Sequence, residues 1–159
     1  MLELDESGWL DPNFLANLPG KEIAIECVTL DGQAFDWTQY SGKVVLIDFG
    51  ATWCGPCVAE IPRLKTLYEK YRDKGFEIVG ISVDEDLDAL EQGLEKHQLP
   101  WLVLADEKRG EARQMTMAGR FAIGEVPRCI LIDRSGKVVS VEARGETLEA
   151  ELERLFGKD

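Results

Sequence analysis

The spacing of apolar residues along this chain switches repeatedly between two periods, and the switches set out the order of its elements. Lys43-Val44-Val45-Leu46-Ile47-Asp48-Phe49 is an almost unbroken apolar run, the pattern of a buried strand over residues 43–49. From Val58 to about Arg72 the spacing becomes helical, which predicts a helix over 57–72 with Pro62 as a kink. Phe76 to Val83 reads as a second buried strand. Leu87, Leu90 and Leu94 then mark a helix that Asp86 or Asp88 caps. Trp101 to Leu104 is a short strand, and residues 110–118 form a helix. Cys129 to Ile132 is a strand, Ser135-Gly136 a turn, and Val138 to Glu142 the strand that returns. Leu148, Leu152 and Leu155 place a last helix near the C-terminus.

The first part of the chain has its own signals. Asp11 suits a cap, Pro12 a first helical position, and Phe14, Leu15 and Leu18 share a face before Pro19-Gly20 ends the turn. Residues 1–20 are therefore expected to be an extension to a domain over 21–159. Ile23, Ile25 and Cys27 alternate with Ala24, Glu26 and Val28, and Asp31-Gly32 leads to Ala34-Phe35-Asp36. That combination predicts a β-hairpin over 22–36. Strands alternating with helices, closed by a hairpin and a helix, imply an α/β sandwich around a mixed sheet.

Composition narrows the function more than the fold. The 159 residues, 45% of them apolar, suit one domain with one ordinary core. Eighteen basic against thirty acidic residues leave a net charge of −12, which repels phosphate backbones and anionic lipid surfaces. Nucleic acid and membrane-surface roles are not expected, and no apolar run approaches a membrane span. Met1-Leu2-Glu3-Leu4-Asp5-Glu6 lacks the basic start and apolar block of a leader, so the chain is either cytosolic or a piece of a longer exported protein.

The candidate chemistry lies in Trp53-Cys54-Gly55-Pro56-Cys57. Two cysteines two residues apart can close and open a disulfide, and these sit where a strand hands over to a helix. The helix N-terminus carries unpaired N–H groups and partial positive charge, which favour the thiolate of Cys54, the nucleophile of disulfide exchange. Cys54 is expected to be the more exposed, attacking sulfur; Cys57, one turn in, breaks the mixed disulfide. A structural disulfide or half a zinc site is the competing reading. Zinc lacks a second ligand pair, because His97 is the only histidine and neither Cys27 nor Cys129 has a neighbouring cysteine. Cys27 and Cys129 read as inert core thiols. Strand alternation sets Asp48 on the face of Val44 and Leu46, where a buried carboxylate titrates high. Glu60 lies one helical turn past Cys57. Pro127 lacks a ladder N–H and must begin the strand that follows it.

Trp-Cys-Gly-Pro-Cys after a buried strand, with Val126-Pro127 before a later one, resembles the thioredoxin-fold oxidoreductases. Cys54-x-x-Cys57-x-x-Glu60-x-Pro62, the lead-in Ser41-Gly42-Lys43, the N-terminal hairpin and the inserted helix around Leu87–Lys96 resemble the TlpA/ResA branch. The resemblance, over roughly residues 20–157, implies a three-layer sandwich with a mixed central sheet, an N-terminal β-hairpin and an inserted helix. It implies a protein-disulfide reductase that works through the redox-active disulfide Cys54–Cys57 and needs no other cofactor and no metal. Asp48 or Glu60 would accept the proton of Cys57, and Glu60 is the expected acceptor. Pro127 would be a cis-proline facing the cysteines, with the backbone at Val126 pairing with an extended substrate segment. Trp53 would dock the partner, and Gly55-Pro56, the dipeptide of reducing thioredoxins, would keep the turn compact. Disulfide-containing proteins, heme-site cysteines of apocytochromes in cytochrome c maturation among them, are the implied substrates. An upstream electron donor, a monomeric state and a location outside the cytoplasm complete what the resemblance implies.

Two positions depart from the family pattern. Gly50 stands where a large aromatic precedes the motif, and Arg128 stands where thioredoxins have Thr. Arg128 is expected to lower the thiol pKa of Cys54, to select acidic partners, or to face solvent. Two other functions compete. A peroxidase of the peroxiredoxin kind needs a Thr where Ala51 stands. A copper or heme-protein chaperone on this fold spaces its cysteines more widely and adds a nearby histidine.

Overall fold

In the computed structural model, which describes residues 13–106, 117–121 and 123–157, the apolar run over 43–49 becomes the middle of the sheet. Strand β1 (Val44–Gly50) lies between β2 (Phe76–Ser82) and β4 (Arg128–Ile132). Strand β3 (Leu102–Ala105) extends the sheet beyond β2, and β5 (Val138–Ser140) extends it beyond β4, giving the order β3-β2-β1-β4-β5. The first three strands run parallel, while β4 is antiparallel to β1 and β5 to β4, so the sheet is mixed as expected.

Parallel neighbours need a crossover, and helices supply it. Helix α1 (Gly55–Tyr71) joins β1 to β2, and the inserted helix α2 (Leu87–His97) joins β2 to β3. Asp86, not Asp88, caps α2, accepting from the backbone N–H groups of Asp88 and Ala89. Helix α3 (Met117–Arg120) is the described end of the helix expected over 110–118, and residues 110–116 of that expectation lie outside the described residues. Helix α4 (Gly145–Phe156) closes the chain.

Strand β1 buries both faces, which is why it reads as a continuous apolar run. Val45, Ile47 and Phe49 point into one core with Phe14, Leu18, Ile23, Ile25 and Phe121. Val44 and Leu46 point into a second core with Leu64, Leu67 and Tyr71 of α1 and Leu148 and Leu152 of α4. The sheet is thus covered on both sides, the arrangement that parallel strands require.

The N-terminal part departs most from expectation. The hairpin over 22–36 is reduced to one antiparallel bridge, Val28 to Ala34, over a turn in which Thr29 N–H donates to Gln33 O at 2.9 Å. Its first strand is tied elsewhere as well: Glu22 bridges to Lys137, and Val28 also bridges to Ala105. Tertiary partners take the backbone groups that a longer hairpin would have paired. Before it, residues 13–17 make a turn, with Asn17 N–H donating to Asn13 O at 3.0 Å. Phe14 and Leu18 are buried from this turn, and the capping pair Asp11-Pro12 lies outside the described residues.

Candidate active site

Strand β1 ends at Gly50, and four residues later Cys54 caps α1. Its backbone is extended (φ −88°, ψ 105°), and its Sγ accepts from the Cys57 N–H at 3.2 Å. Helix α1 begins at Gly55, two residues earlier than the spacing predicts. Pro56 fits this first turn because its missing N–H is one that a helix leaves unpaired there. Cys54 and Cys57 form a disulfide, with Cα atoms 5.3 Å apart. When the pair is reduced, the cap that now holds a disulfide sulfur offers a thiolate an N–H donor and the helix's positive end.

Exposure reverses one expectation. Cys54 is only 5% exposed, whereas Cys57 is partly exposed. The Cys54 sulfur folds back over the first turn to reach the Cys57 N–H, which takes it out of solvent. Trp53 beside it is 69% exposed, an apolar surface such as a docking partner would cover.

The loop before the cysteines is held by a carboxylate that the sequence does not advertise. Asp84, the first residue of the acidic run Asp84-Glu85-Asp86, is 8% exposed. It accepts from Thr52 N–H at 3.0 Å, from Thr52 Oγ1 at 2.6 Å and from Ser82 Oγ at 2.6 Å. Three donors compensate the burial of those carboxyl oxygens. They fasten the loop to the end of β2, and Gly93 of α2 packs closely on the other side of Thr52.

Two cavities flank the cysteine turn. One, of about 80 Å3 and largely apolar, lies between the sheet, α1 and α2; Asp48, Gly50, Cys57, Ile61 and Trp101 line it. The other is a polar groove of about 600 Å3, lined by Pro56, Glu60, Val126, Pro127, Arg128 and Arg144 among others. Val126–Pro127 is a cis peptide, as the resemblance implies, and Pro127 immediately precedes β4. Gly50 lies against Cys57: a Cβ there would meet the Cys57 Sγ at 3.5 Å, so the missing aromatic leaves this side of the cysteine open.

The two candidate carboxylates open onto different cavities. Asp48 shares the apolar one with Cys57, and burial pushes its pKa up from 3.8 to about 6. A hydrogen bond from Cys129 opposes that rise, the negative charge of Glu60 adds to it, and Arg144 opposes it. Glu60 lines the groove instead and pairs with Arg63 at 3.7 Å, while Arg63 binds Glu149 of α4 at 2.9 Å. Arg128 lines the groove and is largely withdrawn from solvent. Its guanidinium donates to Val141 O at 3.1 Å and lies 3.7 Å from Glu142, within this chain, and its buried Nε has no partner among the described residues. Cys27 is partly buried and donates to Ala105 O at 3.2 Å, while Cys129 is buried. Among the described residues, no three of His, Cys, Asp and Glu gather as metal ligands would.

A cysteine pair capping the helix that follows the central strand, with a cis-proline on the rim of the adjoining groove, defines a thioredoxin-fold dithiol–disulfide oxidoreductase. Comparison with known proteins bears this out. The redoxin family model matches residues 16–155. The thiol-disulfide oxidoreductase ResA of Bacillus anthracis is 34% identical over 140 residues, 87% of this chain and 77% of its own. Among solved structures, the thioredoxin domain of a Bacteroides vulgatus thiol-disulfide oxidoreductase has a TM-score of 0.75 at 29% identity, covering 87% of this chain and 97% of that one. A thiol:disulfide interchange protein from Bacteroides sp. has a TM-score of 0.71 at 28% identity, covering 87% and 89%. The chain belongs to the redoxin family and, within it, to the ResA-like thiol–disulfide oxidoreductases.

Sequence reasoning missed Asp84, Thr52 and Arg144. Thr52 and Asp84 are 32 positions apart and Arg144 lies beyond β5, so only the folded chain brings Asp84 to Thr52 and Arg144 to the groove beside Pro56. The carboxylate before a predicted cap was the one usable signal, and it was hidden in an acidic run.

Proposed function

We propose that the chain reduces disulfides in partner proteins. The reduced Cys54 thiolate attacks one partner sulfur, a mixed disulfide forms, and the other partner sulfur leaves as a thiolate. Cys57 then gives its proton to the Asp48 carboxylate and attacks the Cys54 sulfur. The partner leaves as a dithiol, and the two electrons it gained are those given up in closing Cys54–Cys57. A reduced dithiol on an upstream donor protein restores the pair. Cys54 in the cap position, its sulfur accepting from the Cys57 N–H, is the observation that carries this reading.

Asp48 is the proton acceptor in this scheme because it shares a cavity with Cys57 and its pKa is raised to about 6; Glu60 acts through its charge on Asp48. An extended substrate segment would lie in the groove along Val126-Pro127, with Trp53 against its apolar side chains. The resemblance to the TlpA/ResA branch extends the reading to a site of action outside the cytoplasm.

The test is dithiothreitol-driven reduction of insulin by wild type, Cys54→Ser and Cys57→Ser, with the equilibrium potential measured alongside. Both variants should be inactive, and Cys57→Ser should accumulate a mixed disulfide through Cys54. A potential in the range of strong oxidants would reverse the direction of electron flow and refute the proposal.

A further inference from the structure

Cys129 reads from sequence as a core thiol, and it is 4% exposed. Its neighbours give it more to do. The antiparallel register of β1 and β4 sets Cys129 directly opposite Asp48, on the same face of the sheet. From there the Cys129 Sγ donates to the Asp48 Oδ1 at 3.4 Å, an ordinary length for a thiol donor. Cys129 is thus a thiol hydrogen-bonded to the carboxylate that lines the cavity of Cys57.

We infer that Cys129 is a positioning residue for the thiol–disulfide reaction, its neutral thiol donating to Asp48 and fixing the carboxylate that takes the proton of Cys57. The inference rests on the proposed role of Asp48. Burial and the negative charge of Asp48 push the Cys129 thiol well above its usual range, so it keeps its proton. A thiol that does not ionise is a poor nucleophile, and Cys129 therefore stays out of the exchange that its neighbours perform. The same proton is the one it donates, so a single effect of burial makes Cys129 both inert and useful.

Several other groups bear on Asp48. Glu60 and Cys57 approach from α1, and Arg144 comes from the cap position of α4. Asp84 after β2 and His97 at the end of α2 line the same cavity. Of these, Glu60 raises the Asp48 pKa and Arg144 lowers it, but among the described residues only Cys129 has a side-chain hydrogen bond to it.

The experiment follows the carboxyl 13C signal of Asp48 through a pH titration of the oxidised protein, in which Cys54 and Cys57 do not titrate. Removing the donor in Cys129→Ala should raise the Asp48 midpoint by roughly half a pH unit or more, and Cys129→Ser, which restores a donor, should bring it back to the wild-type value or below. If the alanine variant does not fold, Cys129→Val reads the same loss. Midpoints that stay at the wild-type value in both variants, or that move together in both, would overturn the inference. So would a Cys57–Cys129 disulfide found by mass spectrometry after reduced protein is reoxidised. The titration needs no turnover. An inactive wild type in the insulin assay would therefore refute the reductase reading alone, and an unmoved titration in an active protein would refute the role of Cys129 alone.

Discussion

At the scale of single residues, the site is set by what each ionisable group gains or loses on burial. Cys54 gains a backbone donor and a helix end, and both favour its anion. Asp48 loses water, and the thiol donor of Cys129 and the charge of Arg144 do not offset that loss, so its proton is held more tightly in the folded protein than in the unfolded chain. The sign of the consequence for stability follows. Below the unfolded value of 3.8 both states are protonated and burial of Asp48 costs no charge desolvation. As pH rises through the folded value of about 6, the full cost of a buried carboxylate appears. Asp48→Asn should therefore stabilise the protein at pH 8 by on the order of 2–3 kcal/mol, with the gain fading as pH falls towards about 4. Urea denaturation at several pH values checks this. The same variant should slow the attack of Cys57 on a mixed disulfide and remove the titration near pH 6 from its rate, whereas Glu60→Gln should move that titration downward.

At the scale of elements, the working unit is the loop 51–54 held between β2 and α2. A β1 strand that stops at Gly50 must turn before α1 begins, and loops of this kind position catalytic groups only when something stiffens them. Here Asp84 does so from the end of β2, and Gly93 lets α2 approach the other side. A Cβ on Gly93 would come 2.5 Å from the Thr52 Cγ2, closer than any real contact. In Gly93→Ala the helix would gain about 1 kcal/mol of intrinsic propensity. Overpacking costs about 1–3 kcal/mol, and the displaced Thr52 would also loosen its bonds to Asp84. The expected outcome is a net loss of stability in urea and slower insulin reduction together, whereas a more stable and fully active variant would show that Thr52 moves freely. Element identity itself was legible: β1, α1, β2, α2, β4 and α4 stand where the periodicity sets them, because each has a long, consistent apolar pattern. The hairpin over 22–36 was less so. Its alternation is real, but whether its backbone pairs with itself or with Lys137 and Ala105 depends on residues far along the chain.

At the scale of the whole molecule, the net charge gives a prediction about partner choice. A net charge of −12 on 159 residues gives a field that reaches beyond the groove beside Pro127. Cationic disulfide-bonded substrates should be reduced faster than anionic ones of the same sequence length at low salt. Raising ionic strength towards physiological values should narrow the difference, since the Debye length falls to about 8 Å there. Stopped-flow rates for a matched pair of peptides at two salt concentrations measure this; rates that do not respond to salt would show that local contacts at Trp53 and Val126 outweigh the field. No described helix is long and apolar enough to cross a membrane.

By itself the sequence determined the cysteine turn, the helix behind it, the alternation of strands and helices around them and the apolar face that carries Asp48. Each of these is local: it depends on periodicity or on residues within a turn of one another. Tertiary structure alone decided that Cys129 meets Asp48, that Asp84 holds Thr52, that Arg128 bonds within its own chain, and that Asp48 rather than Glu60 shares the cavity of Cys57. Those relations depend on strand register and on helices packed across long separations, and the energies that select them exist only once the chain has closed on itself.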